Sequence, residues 1–243
     1  MMWLRSAFFL LIMIVSTPLL ASWAMLHFPF NPQLRRQGVD PWVNMTSWLI
    51  EHLLGINYRV IGKENIPTSA AVILSKHQSA WETIVLQKIF PRTIFVWKKE
   101  ILWLPFFGWA LAVHPSIAIN RAYGFAALSE LAQKGKLRLQ QGFSVVIFPE
   151  GTRTLSGSQR NFKPGGAHLA VSSCVQVVAV AHNSGNFWPR QAFLKRPGTV
   201  TVKISPPIQP KGLSVAELNR HAETWINEAM QEINSLPTGW DKV

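Results

Sequence analysis

The chain is poor in acid, in cysteine and in tyrosine. It carries 12 Asp+Glu against 24 Lys+Arg over 243 residues, a formal net charge of +12. That imbalance implies an anionic partner, either nucleic acid or an anionic lipid surface. Cys174 is the only cysteine, so an intrachain disulfide is excluded. It lies beside an apolar run and reads as a buried, inert thiol. No paired Cys/His spacing suggests a zinc site. No basic run exceeds two residues, so the arm or tail of a nucleic-acid binder is missing. Charged residues make up only 15% and hydrophobic residues 48%, which is apolar for a soluble domain. Two Tyr stand against 11 Trp, and Trp favours the membrane interface. The anionic partner is therefore read as membrane lipid, and nucleic acid is not expected.

What is present begins with an uncharged stretch from Ala7 to Leu26. A helix of twenty residues is about 30 Å long, the thickness of a bilayer core. A cleaved signal peptide competes with this reading, but the apolar run is long for one. Pro18 predicts a kink, or a segment that re-enters rather than spans. Arg5 precedes the segment and Arg35 and Arg36 follow it, so the positive-inside rule sets no orientation. Over Pro41–Leu54, Trp42, Met45, Trp48, Leu49 and Leu53 recur at helical spacing and predict an amphipathic helix. Residues 1–54 are thus expected to form a membrane helix or re-entrant hairpin plus that helix, and 55–243 the catalytic domain.

Beyond Gly55, short apolar runs alternate with helical patterns. Strands are predicted at Ala70–Leu74, Thr93–Trp97, Ser116–Ile119, Ser144–Phe148, Val175–Ala181 and Thr199–Ile204. Helices are predicted near Trp81–Ile89, Phe125–Leu139, Gly166–Val171 and Val215–Ile233. The alternation indicates an α/β domain with a mixed, largely buried sheet flanked by helices.

Two segments carry chemistry. In Lys76-His77-Gln78-Ser79-Ala80-Trp81-Glu82, His77 falls between a strand and a helix. Residues five apart do not share a helix face, so His77 and Glu82 meet only with His77 in the loop and Glu82 in the first turn. Glu82 can then fix one imidazole nitrogen and leave the other to take a proton. The same residues also read as a capping box, with Ser79 as cap and Glu82 reaching back to its amide; the two readings are compatible. Ser79 lacks the surroundings of a nucleophile elbow. In Phe148-Pro149-Glu150-Gly151-Thr152-Arg153, Gly151 permits a tight turn and Arg153 can fork onto phosphate. Arg160, Lys163 and a helix opening at Gly165-Gly166 follow, and Arg121 can join the same site. A plain basic surface loop is the competing reading of this stretch.

These segments resemble, in order and spacing, the bacterial 1-acyl-sn-glycerol-3-phosphate acyltransferases. The first block is His77 to Glu82. The second is Lys98-Lys99-Glu100-Ile101, Pro105-Phe106-Phe107-Gly108-Trp109 and Ile119-Asn120-Arg121. The third is Phe148–Arg153 with Phe162-Lys163-Pro164-Gly165. The fourth is Val177-Val178-Ala179-Val180 before His182-Asn183-Ser184-Gly185. The resemblance implies transfer of an acyl chain from acyl-CoA or acyl carrier protein to the sn-2 hydroxyl of lysophosphatidate; the alternatives are another acceptor, such as glycerol 3-phosphate or a lyso-aminolipid, and a non-catalytic membrane lipid-binding protein. It implies His77 as general base, Glu82 as its orienting acid, and Arg153, Lys163, Arg121 and Lys99 as phosphate ligands. It also implies a turn shaped by Glu150, Gly151 and Thr152. No metal or prosthetic group is indicated, and the oligomeric state is left open. The expected location is a bacterial inner membrane with the site facing the cytoplasm. Three positions depart from the family pattern: Glu82 for a common Asp, Asn120 for an Asp, and Ala179 for a Pro. The extra methylene of Glu82 requires the helix to start further from His77 or the side chain to fold back.

Overall fold

The computed structural model describes residues 1–120, 122 and 124–236. The chain opens with α1 (Met2–Met25), α2 (Pro32–Gln37) and α3 (Asp40–Trp48), which continues as a π turn over Leu49–Leu53. Then follow β1 (Ile56–Ile61), β2 (Val72–Ser75), α4 (Trp81–Ile89), β3 (Thr93–Lys98), α5 (Phe107–Val113), β4 (Ile117–Ile119), α6 (Gly124–Gln140) and β5 (Ser144–Ile147). The chain continues through α7 (Gly165–Ser173), β6 (Val177–His182), α8 (Ser184–Phe187), β7 (Gly198–Ile204) and α9 (Val215–Ser235).

The seven strands form one sheet in the order β1-β7-β6-β2-β5-β3-β4. Every pairing is parallel except β6 with β7, so the sheet is mixed, as the sequence predicts. Strands β2, β5 and β6 are buried at every position, because helices cover both faces. Alternate residues divide between the faces. Val72, Leu74, Val96, Val145 and Ile147 pack with residues of α6, α7 and α9. Ile73, Phe95, Val146 and Val178 pack with residues of α1, α3 and α4. The central parallel strands β2, β3, β5 and β6 all end at the same edge, the usual place for a site in an α/β sheet.

The helix α1 runs through Pro18 without ending. It lies against the domain along its length. Near its start, Ser6 Oγ accepts the Lys195 amide at 3.0 Å and Phe9 meets Trp188 edge-on at 5.4 Å. Midway, Thr17 Oγ1 accepts from Trp42 Nε1 at 3.2 Å. Near its end, Ala21 and Ala24 pack against Ala110 of α5. Leu4, Phe8, Leu11, Val15 and Leu19 form an exposed apolar stripe on the other side. Its 24 residues make it the one helix among those described that is long and apolar enough to cross a membrane.

Sequence patterns placed the major elements to within a few residues but missed β1, α2, α5 and the short α8, and Cys174, expected to be buried, is exposed beyond the end of α7. The strand β1 sits at the sheet edge, and its Asn57, Tyr58 and Arg59 are exposed, which breaks the apolar run.

Gly166 brings α7 onto β2, because a Cβ there would lie 2.3 Å from Leu74 Cδ2. Leu74 is fully buried and has little room to move. Gly166→Ala should cost about 1–3 kcal/mol in urea unfolding; an unchanged midpoint would show slack at this contact.

Candidate active site

His77 leaves the end of β2 and lies in the loop before α4, where the strand-then-helix reading puts it. Its Nδ1 is 2.8 Å from Glu82 Oε1. Glu82 is fully buried, and the same oxygen accepts the amides of Gln78 and Ser79, each at 2.8 Å. Its other oxygen accepts the Ser184 hydroxyl at 2.9 Å. The extra methylene is therefore absorbed on the first turn of α4. Burial is the largest influence on this carboxyl and pushes its pKa up. The His77 hydrogen bond, the nearby imidazoles of His182 and His77 and the Ser79 amide together outweigh it and hold the pKa near 2. Glu82 is thus an acceptor at neutral pH, which assigns the proton to His77 Nδ1 and leaves Nε2 with a free lone pair. The capping reading holds beside this one, in part: Ser79 Oγ accepts the Trp81 amide at 3.1 Å rather than that of Glu82.

The third block grips His77 from the other side. Phe148 stacks on the imidazole at 3.9 Å between centroids. Glu150 Oε1 accepts the His77 amide at 3.1 Å, and the His77 carbonyl accepts the Thr154 amide at 2.8 Å and its hydroxyl at 3.1 Å. Gly151 has φ +75°, the left-handed conformation that favours glycine.

His77 opens onto a cleft with an empty volume of about 830 Å³, which Gly151, Thr152, Arg153, Arg190 and Lys98 also line. Arg190 donates to the Arg153 carbonyl at 3.1 Å. Three cations facing one opening, with both nearby carboxylates buried behind His77, make an anion-binding surface. Lys163 lines a neighbouring cleft and packs over the turn; its Nζ is 3.3 Å from where a Gly151 Cβ would lie. The cation facing the cleft is Lys98, the last residue of β3; Lys99, expected as a phosphate ligand, begins the next turn and is not part of the lining. Arg121 lies outside the described residues. A second, small apolar cavity lies between α1, α3, α4 and α5, and shares Thr83 and Trp97 with the first.

Sequence reasoning missed Lys98, Arg190 and Lys76 as contributors. Lys76 is buried, with Nζ 3.2 Å from Glu150 Oε1 and 3.2 Å from the Ser158 carbonyl. Its own carbonyl accepts from His182 Nε2 at 2.8 Å. A lysine directly after a short, fully buried strand was the available signal.

Lys76→Met would leave Glu150 as a buried charge without its partner. It should destabilise the fold by about 3–5 kcal/mol in chemical denaturation, and Lys76→Met/Glu150→Gln should recover much of that. Additive losses would show that the two side chains act independently.

The acyltransferase family model matches residues 57–183. The 1-acyl-sn-glycerol-3-phosphate acyltransferase of Pseudomonas aeruginosa is 43% identical over 222 residues, 88% of this chain and 86% of that protein. The human 1-acyl-sn-glycerol-3-phosphate acyltransferase alpha is 32% identical over 168 residues, 68% of this chain and 59% of that protein. In fold, the chain is similar to the 1-acyl-sn-glycerophosphate (LPA) acyltransferase PlsC of Thermotoga maritima, with a TM-score of 0.80 at 23% identity over 96% of both chains.

Proposed function

We infer the activity from a premise and a site: the chain belongs to the acyltransferase family, among the 1-acyl-sn-glycerol-3-phosphate acyltransferases. It acylates lysophosphatidate to phosphatidate. The observation that carries this reading is the His77–Glu82 pair, buried on the Glu82 side and open on the His77 side to a cleft lined by cations.

In the proposed reaction, the acceptor's phosphate rests on Lys98, Arg153 and Arg190, with Lys163 behind the Gly151 turn. That places the sn-2 hydroxyl beside His77 Nε2. His77 takes the hydroxyl proton as the oxygen attacks the thioester carbonyl of the donor. The carbon–sulfur bond breaks as the tetrahedral intermediate collapses, and the imidazolium returns its proton to the departing thiolate. Glu82 keeps the imidazole in the required tautomer and stabilises its charged form. General-base help supplies about 10²–10⁴ in rate; holding the two substrates together supplies much of the rest. The apolar cavity that shares Thr83 and Trp97 with the cleft suits an acyl chain. The donor is acyl-CoA or acyl carrier protein loaded with its acyl chain, both thioesters.

We also propose that α1 lies in one leaflet rather than crossing. A spanning helix of 24 residues is about 36 Å long and would carry one end far from a domain on the other side. Here both ends touch the same domain. The exposed stripe from Leu4 to Leu19 then enters the acyl region while the cleft stays in water. We place the protein on the inner membrane of a bacterium, with the cleft on the cytoplasmic side where acyl thioesters are found.

The test is transfer from a radiolabelled acyl thioester to 1-acyl-glycerol 3-phosphate. Wild type should form phosphatidate, and folded His77→Ala should lose about 10²–10⁴ in rate; equal rates would remove His77 from the chemistry. In the same assay Arg190→Gln should raise KM for the acceptor about tenfold or more with a smaller change in kcat. An unchanged KM would place the phosphate elsewhere.

A further inference from the structure

Away from the cleft, cationic groups gather at the amino-terminal end of β3 and β4. Arg36 on α2 is buried; its Nε donates to the carbonyl of Thr93, the first residue of β3, at 3.1 Å, and it pairs with Asp40. Its neighbour Arg35 has a buried Nε without a hydrogen-bond partner among the described residues. His114, at the end of α5, is only 8% exposed. It bonds through Nδ1 to Ser116 Oγ at 2.8 Å, and its Nε2 likewise has no partner among the described residues. Arg138 on α6 lines an open cleft with Ser116, Lys134 and Leu137, with an empty volume of about 820 Å³.

These groups feel one another. The His114 pKa is pushed down to about 3, first by burial and then by Arg36, Arg138 and Arg35. Arg138 is depressed by burial and then by Arg35. Among the described residues, Asp40 is the one carboxylate bonded to the three guanidiniums, and Arg36 takes it. Lys134 is paired separately, with Glu130 at 2.6 Å. Like charges brought together repel, and the buried Arg35 Nε–H without an acceptor costs free energy. An anion seated among them relieves both.

The rim indicates which anion. Arg35 and Arg36 follow the α1–α2 turn, where Leu26, Phe28 and Phe30 are exposed. Leu34 is exposed beside Arg35, and Leu137 beside Arg138. Cations set among exposed apolar side chains are the pattern of a surface seated on anionic lipid.

We propose that Arg35 and Arg138 form a second phosphate site that takes the headgroup of an anionic phospholipid. It lies at the other end of β3 from Lys98, about 16 Å along a strand of 6 residues. The site takes no part in acyl transfer and stands independently of that activity. The apolar rim favours a headgroup whose chains stay in the leaflet over a free phosphate ion.

The experiment is flotation of the full-length protein with vesicles of phosphatidylcholine alone or with a minority of phosphatidylglycerol. Wild type should prefer the anionic vesicles, and Arg35→Gln/Arg138→Gln should lose about tenfold in affinity for them. The single Arg138→Gln should show a smaller loss in the same direction, and serves if the pair fails to fold. A control, Lys211→Gln/Arg220→Gln, removes two charges from the α9 side of the sheet, away from α1, and should change affinity less than about twofold. Equal losses in the two pairs, or none in the first, would overturn the site in favour of net charge alone. Displacement of the anionic vesicles by millimolar inorganic phosphate would overturn the lipid assignment in favour of a free ion.

Discussion

The Glu82 carboxylate is the knot to which the catalytic edge of the sheet is tied. It accepts from the His77 imidazole, from two consecutive amides of the loop before α4, and from the Ser184 hydroxyl after β6. Those donors come from two separate parts of the chain, and a buried carboxylate needs all of them. Burial alone would drive it to take up a proton and become a donor as well as an acceptor. The amides and the imidazole prevent that, so the ionised form that orients His77 is also the form that holds the loop together. Few substitutions at any of these positions leave the histidine where it is.

The third block does for the His77 backbone what Glu82 does for its side chain. Glu150 takes the amide and Thr154 the carbonyl, while Phe148 covers one ring face. Lys76 in turn balances Glu150. Two carboxylates therefore flank the histidine in opposite ways: one reads its imidazole, and the other reads its peptide and is neutralised by a lysine. The cleft beyond them is left to cations, so the field at the opening is set by Lys98, Arg153 and Arg190.

Much of this was legible because the parts that matter are local in sequence. His77 and Glu82 are five residues apart, and a loop-to-helix placement follows from helical geometry alone. The strands β2, β5 and β6 announce themselves as unbroken apolar runs because both faces are covered. What was not legible depends on contacts distant in sequence. Lys98 rather than Lys99 faces the cleft because the register of β3 decides it. Arg190 arrives from a loop about a hundred residues from His77 with no pattern around it. Edge strand β1 is recognisable only beside β7, with which it pairs across more than 130 residues. Pro18 predicts a kink or a re-entrant segment, and the helix that carries it is continuous from Met2 to Met25, held against a domain on one side by contacts that no local rule anticipates.

That long contact has a consequence for the bilayer itself. A helix gripped by Lys195 and Trp188 near one end and by α5 near the other has both ends held to the same domain. With α1 in one leaflet, as proposed, each turnover adds a second chain to a lipid of the near leaflet only. That leaflet gains cross-sectional area and the opposite one does not, so synthesis by such an enzyme builds lateral pressure on one side. Growth of the membrane as a whole must wait on lipid crossing between leaflets, a step this fold leaves to other machinery.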